Sequence, residues 1–87
     1  MKSIKVLKFS AQWCQPCRSL SPIIKQLSID KGFELVEIDV EENDEKAEEY
    51  KVRSLPTLVF LQNGVEKERC TGSKTKQQLL EIINKYD

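Results

Sequence analysis

Apolar positions along the chain fall into short runs and helical stripes that alternate. Ile4 to Phe9 holds Val6, Leu7 and Phe9 ahead of a small polar segment, and reads as a buried strand despite its lysines. Leu20, Ile23, Ile24 and Leu27 then recur at i, i+3, i+4 and i+7. That spacing predicts one face of a helix from about Cys14 to Asp30, ending before Gly32. Pro22 inside it removes a ladder hydrogen bond and crowds the preceding turn, so a kink is expected near residues 18–22. Phe33, Leu35, Val36 and Ile38 supply a second strand. Asn43 followed by Asp44 and Glu45 predicts an N-cap with acids in the first turn of a helix reaching about Lys51.

Thr57 to Leu61 and Val65 to Cys70 form two further runs, joined around Asn63 and Gly64. Asn and Gly both tolerate the positive φ of a tight turn, so this is a hairpin of antiparallel strands. Gly72 punctuates the chain again, and Thr75 with Gln78 matches a capping box. Leu79, Leu80, Ile82, Ile83 and Tyr86 then stripe a last helix. The order is βαβαββα. A right-handed crossover makes the first two strands parallel, and the hairpin extends the same sheet so that helices can cover both faces. The fold class is α/β: a four-stranded mixed sheet in three layers, flanked by three helices, as one domain over residues 1–87.

Composition agrees with a small globular unit. The 87 residues fall short of one ordinary domain length, and 39% are apolar against 32% charged. Fourteen basic side chains balance fourteen acidic ones with no His, which removes the field that binding to nucleic acid needs. The balance is uneven: residues 1–30 hold five basic against one acidic, residues 31–50 two against nine, and residues 51–87 seven against four. The acidic run from Glu41 to Glu49 reads as a solvated helix face or as a docking patch for a basic partner. From Met1 onward no apolar stretch has the length of a secretory signal or membrane span, and Lys8 interrupts the early run. A soluble, cytoplasmic chain without membrane contact is expected.

Three cysteines suit no disulfide scaffold, and two of them stand three positions apart at Cys14 and Cys17, as a redox or metal pair. A structural zinc takes four ligands, whereas this chain has one such pair, no His and a distant Cys70, so no metal is expected. Trp13, Cys14, Gln15, Pro16 and Cys17 lie between a predicted strand and a predicted helix. Cys14 at the helix N-terminus meets unpaired N–H groups and the positive end of the macrodipole, which favour a thiolate. The two-residue spacer keeps Cys17 one turn on, close enough for a small disulfide ring. Pro16 suits the first turn, where its missing N–H costs nothing. Cys14 at the exposed start attacks; Cys17, pointing toward the helix body, resolves the mixed disulfide. Cys70 reads as a small buried hydrophobe, with a regulatory or dimer-forming thiol as the alternative.

The run from Phe9 through Trp13, Cys14, Gln15, Pro16 and Cys17, with Pro22 beyond, then Leu55, Pro56 and Thr57 before a strand, and Asn63, Gly64 and Gly72, resembles the thioredoxin family. The resemblance implies a thioredoxin-like fold and the reduction of protein disulfides by dithiol–disulfide exchange through Cys14 and Cys17. It implies no cofactor besides that redox pair, disulfide-containing proteins as partners, a thioredoxin reductase as electron donor and a monomeric state. It further implies a cis Leu55–Pro56 bond beside Cys14, with the Leu55 backbone free to pair with an extended substrate. Trp13, Gln15, Pro16, Leu55, Pro56 and Gly72 are the expected substrate-binding residues. Trp13 forms one wall of the groove or, alternatively, caps the core.

Three departures from the family pattern stand out. The common form opens with an added strand and helix, whereas only about three residues precede Ile4, a trimmed layout nearer glutaredoxin. Gln15 stands where the family has Gly, which alters the redox poise and the approach to Cys14. Lys8, six residues before Cys14, stands where the family carries a buried Asp associated with proton transfer at the second cysteine. Lys8 then pairs with a thiolate, acts as a neutral base toward Cys17, or snorkels to water on an exposed face. Two other functions fit less well. A glutaredoxin-like reductase would use Lys51 and Arg53 to hold a glutathione carboxylate. A non-catalytic module would bind a partner through Trp13, Leu55 and Gly72.

Overall fold

In a computed structural model, residues 3–86 are described. They form β1 (Ile4–Ser10), α1 (Gln15–Lys31), β2 (Glu34–Asp39), α2 (Asp44–Glu49), β3 (Thr57–Gln62), β4 (Val65–Thr71) and α3 (Lys76–Ile83). The sheet order is β2-β1-β3-β4, with β1 parallel to β2 and antiparallel to β3, and β3 antiparallel to β4. This is the mixed sheet expected from the βαβαββα order.

Alternation along β1 splits the core in two. Ile4 and Val6, with Leu58 and Phe60 of β3, pack against Leu20, Ile24 and Leu27 of α1 and Leu79 and Ile83 of α3. Leu7 and Phe9, with Ile38, Val59 and Leu61, face the other way, toward Ala47, Tyr50 and Val52. Each fully buried Leu or Phe contributes about 1.5–3 kcal/mol, so both faces are held by burial. Lys8 lies on the first face, under α1.

Local chemistry sets most element ends. Helix α1 runs through Pro22, which has no N–H to give the Arg18 carbonyl, and stops at Gly32 with φ of 76°. The N–H groups of Gly32 and Phe33 both donate to the Ser28 carbonyl, at 2.9 and 3.2 Å. Asn63 and Gly64 have φ of 55° and 79°, the two positive values that a two-residue hairpin requires. In the capping box of α3, the Gln78 N–H donates to Thr75 Oγ1 at 3.1 Å and the Thr75 N–H to Gln78 Oε1 at 2.9 Å.

Helix α2 is shorter than its pattern predicts, ending at Glu49 with Tyr50 as its cap and Lys51 at φ of 55°. Asn43 does not cap with its side chain; its backbone carbonyl instead accepts the Lys46 and Ala47 N–H groups at 3.1 and 3.2 Å. The turn before it is held by the Asp39 carboxylate, which accepts the Glu41 N–H at 2.8 Å. No residue of α2 is fully buried, so the acidic run is a solvated face.

Candidate active site

The β1–α1 junction builds the site. Ala11 accepts the Cys14 N–H at 3.1 Å, turning the chain so that Cys14 becomes the N-cap of α1. The Cys17 N–H then donates to Cys14 Sγ at 3.2 Å. A side-chain acceptor at this position satisfies an orphan helix donor, and that donor favours negative charge on the sulfur. Pro16 stands in the first turn, without the donor it would waste there. Cys14 and Cys17 form a disulfide with Cα atoms 5.3 Å apart, inside the usual span for such a bridge.

Exposure does not separate the two sulfurs as expected. Cys14 is 4% exposed and Cys17 1%. Ala11 packs with both, and Val40 and Leu55 close over them, which shields a residue that helix position alone would leave in water. What differs is the space each borders.

Cys14 lines a cleft of about 480 Å³ with Trp13, Gln15, Pro16, Val40, Ala47, Val52, Arg53, Ser54 and Leu55. Trp13 is 67% exposed, so it forms a wall of this cleft and does not cap the core. Gln15 Oε1 accepts from Arg18 Nη2 at 3.3 Å across one helical turn. The Leu55–Pro56 peptide bond is cis. Two hydrogen bonds hold its loop: Thr57 Oγ1 donates to the Ser54 carbonyl at 2.6 Å, and the Gly72 N–H to the Pro56 carbonyl at 2.9 Å. Pro56 is buried and Gly72 reaches the site only through it; neither lines the cleft. Among the described residues, no intramolecular hydrogen bond engages the Leu55 backbone.

Cys17 lines a different cavity, of about 540 Å³, with Lys8, Ser10, Arg18, Ser21, Glu37, Asp39 and Glu42 among its walls. Lys8 does not snorkel to an exposed face: it is 2% exposed, because α1 lies over its side of the sheet. Among the described residues no protein group hydrogen-bonds its amine and no side-chain nitrogen or oxygen is sealed away unpaired, so the amine ends at the cavity. Burial pushes the Lys8 amine below the ordinary lysine range; Glu37, its partner in the β1–β2 register, opposes that shift, and Lys25 adds to it. Glu37 also pairs with Lys25 at 3.7 Å.

Val40, Ala47, Val52 and Ser54 in the cleft, and Ser21 and Glu37 in the cavity, escaped the sequence reading. Each is ordinary in its local pattern and reaches the sulfurs only through the fold. Cys70 is half-buried beside the α1–α3 core, a free cysteine whose thiol burial pushes up. Among the described residues no cluster of three or more His, Cys, Asp or Glu could hold a metal, and no helix is long and apolar enough to cross a membrane.

A disulfide set at a helix N-terminus against a proline loop, on this sheet, is the working arrangement of a thiol–disulfide oxidoreductase. The thioredoxin family model matches residues 1–85. Thioredoxin of Bacillus subtilis is 38% identical over 87 residues, covering 98% of this chain and 84% of the relative. Among solved structures, Fasciola hepatica thioredoxin superposes with a TM-score of 0.90 at 35% identity, covering 99% of this chain and 84% of that one. A Nicotiana alata thioredoxin gives 0.90 at 36% identity, covering 99% and 75%. The chain belongs to the thioredoxin family. It is a protein thiol–disulfide oxidoreductase with a redox-active Cys14–Cys17 pair, and disulfides are its substrates.

Proposed function

We propose that the protein works as a reductase in which Cys14 attacks and Cys17 resolves. The observation that carries the assignment is that Cys14, and not Cys17, lines the open cleft walled by Trp13 and Leu55. A substrate segment extended along the cleft pairs with the Leu55 backbone and packs on Trp13, Gln15 and Pro16, while Pro56 and Gly72 hold the loop in place. The Cys14 thiolate attacks one substrate sulfur; the substrate S–S bond breaks, a mixed disulfide forms and the first substrate thiolate leaves. Cys17 thiolate then attacks Cys14 Sγ, the mixed disulfide breaks, and the second substrate thiolate leaves with its electron pair. Water returns to the two departing thiolates the protons given up by Cys14 and Cys17.

The donor that restores the dithiol is a thioredoxin reductase, and the protein acts as a cytoplasmic monomer. A reducing compartment suits a reductase, because there the cysteines of its substrates are returned to thiols. Cys17→Ser is the direct test. The variant should accumulate a mixed disulfide on Cys14, resolved by mass spectrometry after tryptic digestion. An adduct on Cys70, or none, removes the assignment. Insulin reduction driven by NADPH and a flavoprotein thioredoxin reductase, but not by glutathione with its own reductase, identifies the donor.

A further inference from the structure

The cavity behind Cys17 is lined by a lysine that the exchange steps above do not use. Lys8 projects from β1 to the face covered by α1, and its amine ends in the same cavity that Cys17 lines. Lys8 is 2% exposed as a residue, and its amine, which is not sealed off from the cavity, has no hydrogen-bonding protein partner among the described residues. An amine on a buried residue without a fixed protein partner is costly to keep charged, and it persists most readily where it serves a charge that comes and goes. Cys17 supplies such a charge each time the couple cycles, since it must be a thiolate to resolve the mixed disulfide.

We infer that Lys8 is a positioning residue for the resolving half of the reaction: its ammonium, held at the cavity wall, stabilises the Cys17 thiolate, speeds resolution near neutral pH and favours the dithiol form of the couple. The inference rests on the proposed roles of Cys14 and Cys17. Other charges face the same space. From β2 come Glu37 and Asp39, from the following turn Glu42, and from α1 Arg18, while Lys25 of α1, outside the lining, acts on the amine through its charge. Glu37 and Glu42 are exposed, Glu37 is shared with Lys25, and the Asp39 carboxylate accepts the Glu41 N–H, so water and partners damp the three acids. From β3 the facing residue is Leu58, which brings low dielectric and no charge. A cation held in such a place acts on a neighbouring sulfur more strongly than exposed charges do. Glu37 meanwhile opposes the downward push of burial on the amine.

The proton and electron balance is that of ordinary exchange. Cys17 loses its proton to cavity water, its sulfur attacks Cys14 Sγ, and the Cys14–Cys17 bond forms as the Cys14–substrate bond breaks. The substrate thiolate leaves with the electron pair and takes a proton from water. Lys8 forms no bond and transfers no electron; it lowers the cost of the negative sulfur.

Three proteins test this: wild type, Lys8→Met, which keeps the stem and removes the charge, and Lys8→Arg, which keeps the charge. The readouts are the equilibrium constant against glutathione, followed by alkylation and mass spectrometry, and the resolution rate of a preformed mixed disulfide from pH 6 to 9. The expected result for Lys8→Met is a roughly tenfold shift of the equilibrium toward the disulfide, which is about 30 mV for a two-electron couple. Its resolution should slow about tenfold near pH 7, with the gap closing toward pH 9 as Cys17 ionises unaided. Lys8→Arg should follow wild type. An unchanged equilibrium and pH profile in Lys8→Met overturns the inference, and so does a shift that Lys8→Arg fails to restore, because packing and not charge would then be responsible. Failure of wild type itself to reduce protein disulfides would instead overturn the proposed function.

Discussion

The two sulfurs of the disulfide are almost equally buried, yet they open onto unlike surroundings. Cys14 faces a cleft whose walls are mostly apolar, with Trp13 at its mouth and the Leu55–Pro56 loop on its far side. Cys17 faces a cavity walled by charges and hydroxyls, with Lys8 in its lining. An apolar cleft suits the binding of a polypeptide segment, whereas a cavity lined by polar groups and open to water suits the movement of protons. The proposed roles therefore rest on the environment at the open side of each sulfur, and not on its exposed area.

The largest test of that comparison is to remove each sulfur. Cys14→Ser should leave no detectable turnover of insulin and no adduct on Cys17. Equal adduct formation in Cys14→Ser and Cys17→Ser, read by mass spectrometry, would make the two sides equivalent and break the comparison.

The next effect is on stability, and it belongs to the Cys17 side. Lys8 is held below its ordinary range by burial, so between that depressed value and the ordinary one the unfolded chain binds more protons than the folded protein. The wild type therefore gains stability as pH rises through that window and carries the full cost of the buried charge below it. Lys8→Met should raise urea stability at pH 7 by about 1–3 kcal/mol, with the difference shrinking as pH rises through that window and levelling off above the ordinary lysine value. A destabilised Lys8→Met would show the amine to be well compensated in the folded state. On the Cys14 side the exposed Trp13 should matter to stability by no more than about 0.5 kcal/mol when changed to Ala.

Trp13→Ala should act on binding instead. For a protein disulfide, KM rises about tenfold, worth about 1.4 kcal/mol, while the equilibrium with glutathione stays at its wild-type value. Equal losses with protein and small-molecule disulfides would show that Trp13 serves the sulfur and not the substrate. The smallest effect is at the rim. Arg53→Ala should lower kcat/KM for an acidic disulfide peptide about two- to fivefold at low salt, and the loss should vanish in 0.5 M salt. A neutral peptide losing as much would remove charge as the cause.

Much of this molecule was legible because short-range chemistry wrote it. The Gly32 stop, the Asn63–Gly64 turn and the Thr75–Gln78 box each depend on atoms within a few residues, and each stands where the pattern put it. The Cys14 cap belongs to the same class, since the Cys17 N–H lies three residues away. Asn43 is the N-cap of α2 with Asp44 and Glu45 in the first turn, as the pattern has it, but its side chain turns back to the Asp39 carbonyl and makes no cap bond, and α2 ends early at Tyr50 and a left-handed Lys51. The cis Leu55–Pro56 bond was expected from family resemblance; composition has no comparable signal for it.

By itself, then, the sequence determined the order of elements, the attachment of the cysteine pair to a helix start and the turn chemistry, because these follow from bonds a few residues long. Only the tertiary structure decided that Lys8 is buried and shares a cavity with Cys17, and that Val40 and Leu55 shield Cys14. Burial depends on what distant segments lay over a side chain. A lysine in an apolar strand reads the same whether α1 covers it or water does.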